Sequence, residues 1–242
     1  MTVPRVSPEA DHDSALGAQD AGPDGGAGDG AGDGAGTRER PSLSAAQHIL
    51  GRAAWVGSEV FSPPVLIALM LVSLAVVTDP NWVVTTVISV IAFAVIPQAV
   101  AIAMTLRGRA TDKFIVNRAQ RHLFYAIVMA STLLGAAATL LVTESAWVSW
   151  ACFIAVGLVA VVAVINTVFK ISLHALISAL TAVVIASAFS WWVLLATIPV
   201  WALVIWSRVH LGRHSRSEVI AGSTLGFLAA GVLLLGAGVP MG

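Results

Sequence analysis

His214 and Glu218 stand four residues apart in the segment Ser207-Arg208-Val209-His210-Leu211-Gly212-Arg213-His214-Ser215-Arg216-Ser217-Glu218, where a long apolar run begins. A helical start places the imidazole and the carboxylate on one face. A carboxylate that accepts one imidazole N–H fixes the tautomer and makes the other ring nitrogen a better nucleophile. Neighbouring arginines and the free N–H groups of a helix N-terminus suit a phosphate. Ser215-x-x-Glu218 is equally a capping-box pattern, and arginines are an ordinary cytoplasmic flank, so this segment by itself carries both readings. A second cluster, Lys170-Ile171-Ser172-Leu173-His174, opens another apolar run. Ser172 is a good N-cap there, and His174, with an ordinary pKa of about 6.5, is a candidate acid or base. The third cluster, Asp112 to His122, is a basic connection that taken singly is a topology signal.

The elements that must position these groups are apolar. Of 242 residues, 57% are hydrophobic and 11% charged, too few charges to cover a water-facing surface. Seven apolar runs, at about 60–78, 82–106, 122–142, 146–168, 173–189, 191–206 and 218–236, predict transmembrane helices. Thr78-Asp79-Pro80-Asn81 and Thr143-Glu144-Ser145 break the first and third from their successors. The expected fold is an all-α, polytopic transmembrane bundle over 46–242, preceded by an acidic Gly/Ala/Asp-rich tail over 1–45 that cannot offset its ordering entropy and should stay disordered. That tail lacks the apolar core of a secretory signal. Thr139, Ser178 and Thr181 are expected to pack helices. Cys152 is the single cysteine, so no intramolecular disulfide forms.

Net charge is zero, but residues 1–40 carry −5 and the remainder +5. With seven crossings, all 13 Lys and Arg residues fall on one side of the membrane, which the positive-inside rule makes cytoplasmic. The three clusters follow two, four and six crossings, so they can meet at one face. Composition excludes a disulfide scaffold, a secreted soluble enzyme and a nucleic-acid binder.

Together the clusters resemble the type 2 phosphatidic acid phosphatase family. Ser207-Arg208-x5-His214-x3-Glu218 is similar to its third signature, SRxxxxxHxxxD, and the surrounding Leu211-Gly212 and Val219-Ile220-Ala221-Gly222 extend the likeness. Ser172-Leu173-His174 resembles its second signature, PSGH, and Arg121-His122 sits where the first, KxxxxxxRP, ends. The resemblance covers about residues 60–236. It implies a six-helix phosphatase core in a plasma-membrane protein and a metal-independent phosphatase that needs no cofactor and works through a phosphohistidine. In that scheme His214 attacks phosphorus, Glu218 orients it, and His174 protonates the leaving oxygen. Ser172, Arg208 and Arg121 hold the phosphate, and the implied substrate is a phosphate monoester or diphosphate on a lipid or polyprenyl carrier.

The departures are specific. Glu218 stands for aspartate and adds a methylene, so its reach to His214 must be recovered by backbone or rotamer. Leu173 stands for glycine, and Ile171 and His122 for prolines. Phe114 occupies the lysine position of the first signature, with Lys113 one residue away and Arg118 one helical turn from Arg121 as substitutes. A non-catalytic relative that binds phosphorylated lipid, or a structural or transport subunit, is the alternative from another class.

Overall fold

Apolar runs in lipid must close their backbone hydrogen bonds internally, and these runs do so as helices. The computed structural model describes residues 45–106 and 118–238, and among them there is no strand. In chain order the helices are α1 (Ala45–Val60), α2 (Pro63–Thr78), α3 (Trp82–Val90), α4 (Ile96–Leu106), α5 (Arg118–Leu140), α6 (Ala146–Val168), α7 (Leu173–Phe189), α8 (Leu194–His210) and α9 (Arg216–Gly236). The tail predicted to be disordered lies outside the described residues, as do residues 107–117.

Trp82–Leu106, Leu123–Leu140, Ala146–Val168, Trp191–His210 and Arg216–Gly236 are each long and apolar enough to cross a membrane. Helix α7, at 17 residues, sits at the short end of the spanning range. The first predicted run proves to be α2, which passes the same test only jointly with α1, across a 46° bend. Helix α1 is not among the seven predicted runs. Gln47, His48, Arg52 and Glu59 interrupt its apolar residues, so a search for continuous hydrophobicity passes over it.

Between α3 and α4 the helix widens to a π-segment, Ile91–Val95. Pro97 explains it. Proline has no N–H to donate and its ring clashes with the preceding turn, which a locally wider helix relieves. In the π register the missing donor would serve the Ala92 carbonyl, and Ser131 Oγ from α5 donates to that oxygen instead, at 3.2 Å.

Helices α7 and α9 pack more extensively than any other pair among the described residues. Gly222 and Gly226, one turn apart on α9, permit it. A Cβ at Gly222 would lie 2.5 Å from the Ser172 carbonyl oxygen, and one at Gly226 would strike the Leu176 carbonyl oxygen. Backbone cannot yield as a flexible side chain would. We therefore expect Gly226→Ala to destabilise the bundle by about 1–3 kcal/mol, whereas Gly231→Ala, with nothing within 4 Å of its added carbon, should be neutral or slightly stabilising. Thermal unfolding of both variants in detergent checks this; equal midpoints would contradict it.

At the end of the bundle away from the clusters, two turns are tied together by Asp79. Its carboxylate accepts from the hydroxyls of Thr85, at 2.9 Å, and of Thr143, and from the Asn81 amide at 2.8 Å. Burial would raise its pKa, but these bonds, with one from the Glu144 backbone, outweigh burial and hold it below the usual value. Thr78 and Ser145 share a hydroxyl bond of 2.5 Å across the same turns. Thr139, Ser178 and Thr181 are buried within the bundle, in keeping with a packing role.

Candidate active site

Helix α8 ends in a turn that returns the chain upon itself. Gly212 has φ 63°, a left-handed conformation that glycine adopts without steric cost. The Gly212 amide donates to the Val209 carbonyl at 3.0 Å and the Arg213 amide to the Arg208 carbonyl at 3.1 Å, the paired bonds of a Schellman cap. The His214 amide donates to the same Arg208 oxygen at 3.2 Å. Gly212 thus has a physical reason to be there, because its turn brings His214 back against Arg208.

Ser215 then caps α9. Its hydroxyl accepts from the Glu218 amide at 3.3 Å, and Glu218 Oε2 accepts from the Ser215 amide at 3.1 Å, completing the capping box. The same Oε2 lies 2.8 Å from His214 Nδ1. Glu218 thus both caps α9 and contacts His214, and its added methylene does not prevent that contact. With Nδ1–H donated to the carboxylate, the lone pair of the neutral ring is on Nε2. Burial pushes the His214 pKa below its ordinary value; the Glu218 bond opposes that shift, while the positive charges of Arg208 and Lys170 add to it. The neutral, nucleophilic form is favoured.

The Lys170–His174 segment meets the Arg208–Glu218 segment directly. The Ser172 amide donates to the Glu218 carbonyl at 3.3 Å, and Lys170 Nζ donates to the Arg213 carbonyl at 3.2 Å. Ser172 is fully buried and caps α7, its hydroxyl accepting from the Ala175 amide at 3.5 Å. His174 is partly buried in the first turn of α7, two residues after that cap. Arg208 is 1% exposed, and its Nη1 donates to Ser58 Oγ on α1 at 2.9 Å.

Arg118 and Arg121 occupy the first turn of α5. That end of α5 is joined to the Lys170–His174 segment through Asn166, whose Nδ2 donates to Tyr125 Oη at 2.9 Å while its Oδ1 accepts from the Ile171 amide at 3.3 Å. Lys113 lies outside the described residues. His210 is exposed and stacks on Trp206, ring centroids 5.0 Å apart, consistent with a surface histidine.

Sequence reasoning missed Ser58, Glu59, Tyr125 and Asn166. Asn166 had a signal, a polar side chain near the C-terminal end of an apolar run and four residues before Lys170. Beyond Glu218 the surface becomes apolar: Val219 begins a groove between α8 and α9 lined also by Trp201, Ile205, Ser223 and Phe227.

Comparison with family models, with curated proteins and with solved structures finds no match.

Proposed function

We propose that this membrane protein is a phosphatase that hydrolyses a phosphate monoester or diphosphate on a lipid or polyprenyl carrier. The observation that carries the reading is the 2.8 Å contact between His214 Nδ1 and Glu218, set against the buried Arg208. A carboxylate-oriented imidazole beside a desolvated cation is what a nucleophilic displacement at phosphorus requires. His214 Nε2 attacks phosphorus and the bond to the carrier oxygen breaks, while His174 gives its proton to that oxygen. Water then attacks the phosphohistidine, His174 takes its proton, and the N–P bond breaks with its electron pair returning to Nε2. Arg208, Arg121 and the amides that begin α7 stabilise the equatorial oxygens, with Arg118 and Lys113 available for further charge.

The apolar groove that starts at Val219 supports a substrate with a hydrocarbon chain, whose phosphate reaches the site as the chain stays in lipid. Purified protein in detergent should release phosphate from at least one of phosphatidic acid, phosphatidylglycerol phosphate and polyprenyl mono- and diphosphates without added metal. Failure on all of them would favour the non-catalytic alternative.

The one-sided distribution of basic residues supports a site on the cytoplasmic side of the plasma membrane. Ser217→Cys should resist an impermeant maleimide in intact cells and react after permeabilisation; labelling of intact cells would reverse the orientation.

A further inference from the structure

Helix α1 lies almost wholly outside the stretch that resembles the phosphatase family, yet its last turn reaches both Arg208 and Arg213. Gly57 lets it approach α8 closely, since a Cβ there would lie 3.3 Å from Leu203 Cγ. Ser58 is 1% exposed and accepts from Arg208 Nη1 at 2.9 Å. Glu59 pairs with Arg213 Nη1 at 3.8 Å. We infer that Gly57-Ser58-Glu59 is a positioning device of the phosphate site, with Ser58 fixing the guanidinium of Arg208 and Glu59 holding Arg213 over the turn that carries His214. This inference rests on the phosphatase reading for its consequence in turnover, but not for its consequence in anion binding.

The chemistry of the two partners differs in a way that suits this role. A hydroxyl orients a guanidinium without cancelling its charge, so Arg208 keeps its attraction for an anion. A carboxylate in the same place would compete with the phosphate for the guanidinium fork. The carboxylate of the device lies 3.8 Å from Arg213, which is partly exposed and lies in the connecting turn, while on Arg208 Glu59 exerts an attractive charge. The last turn of a helix also carries partial negative charge from its free carbonyls, so a cation is favourably held there. Hydrogen bonds to a charged group are among the stronger ones, and a guanidinium free to rotate out of line loses the geometry on which oxyanion recognition depends.

The test uses the full chain purified in detergent, with inorganic orthophosphate as the binding probe and lipid phosphate turnover as a second readout. Ser58→Ala should weaken orthophosphate binding about tenfold and raise KM more than it lowers kcat, while Ser58→Thr, which keeps the hydroxyl, restores both to within about twofold. Glu59→Gln should weaken binding by a smaller factor of about two to three. If Ser58→Ala does not fold, Ser58→Thr against Ser58→Val makes the same comparison, since the two differ in the hydroxyl and hardly in shape. Wild-type affinity in the variant lacking the hydroxyl overturns the inference, as does a loss that Ser58→Thr fails to restore. A wild-type protein that binds orthophosphate through Ser58 and Arg208 yet turns over no lipid phosphate would refute the phosphatase reading and leave this one standing.

Discussion

His214→Ala is expected to lower phosphate release by about 10⁴-fold or more, with little effect on the amount of folded protein. The size follows from the role. In covalent catalysis, removing the nucleophile removes the pathway itself, leaving only what binding and electrostatics can do for direct attack by water. His214 is also a poor candidate for a structural residue. Its side chain is 9% exposed, so it contributes some burial, but its Nδ1 partner Glu218 keeps a second bond to the Ser215 amide when the imidazole is gone. The cap of α9 therefore survives. Phosphate release by the variant at anything near the wild-type rate would remove His214 from the chemistry. A matching collapse of helical signal in circular dichroism would assign it to the fold instead.

Glu218→Gln should separate the cap of α9 from the proposed orientation of His214, since one oxygen makes both contacts. Glutamine is accepted at the third position of a capping box, so the bond to the Ser215 amide can persist, and the helix loses only the favourable charge at its N-terminus, about 0.3–1 kcal/mol. The proposed catalytic role should not survive the change. A neutral amide neither stabilises an imidazolium nor enforces the tautomer with the lone pair on Nε2, and kcat should fall about 10³-fold or more. The pH dependence should move with it. Burial already lowers the His214 pKa, and the Glu218 bond works against that shift. The acid limb of the wild-type kcat/KM profile is thus expected below about pH 6.5, and in Glu218→Gln it should lie lower still. The sign for stability follows by linkage: a histidine whose folded pKa is depressed stabilises the fold above the unfolded value of about 6.5 and loses that contribution as pH falls through the folded pKa. Unchanged kcat in Glu218→Gln, or a stability loss as large as that of Glu218→Ala, would contradict the division of labour.

The helical bundle was legible because continuous apolar runs leave the chain few alternatives in lipid, and the turn residues between them marked the breaks. The meeting of the Lys170–His174 and Arg208–Glu218 segments was legible from parity, since an even number of crossings returns each to the same end. The bond between Ser172 and Glu218 is the local expression of that count. What Glu218 does was not legible, because a capping box and an oriented histidine demand the same spacing and only geometry shows that one oxygen serves both. Helix α1 was hidden by its own polar residues, and Ser58 could not be linked to Arg208 across 150 positions by any local pattern. The run predicted over 82–106 passes straight through Pro97, and the hydroxyl that satisfies the freed Ala92 carbonyl, Ser131, lies on another helix and gives no sign in the sequence.

A covalent phosphohistidine can be caught by rapid alkaline quench of the wild-type protein during turnover, followed by peptide mass spectrometry. Phosphate is expected on His214, appearing within the first turnover, accumulating no further once substrate is exhausted, and missing from His214→Ala. Steady release of phosphate with His214 unmodified throughout, or with the modification on another residue, would contradict it.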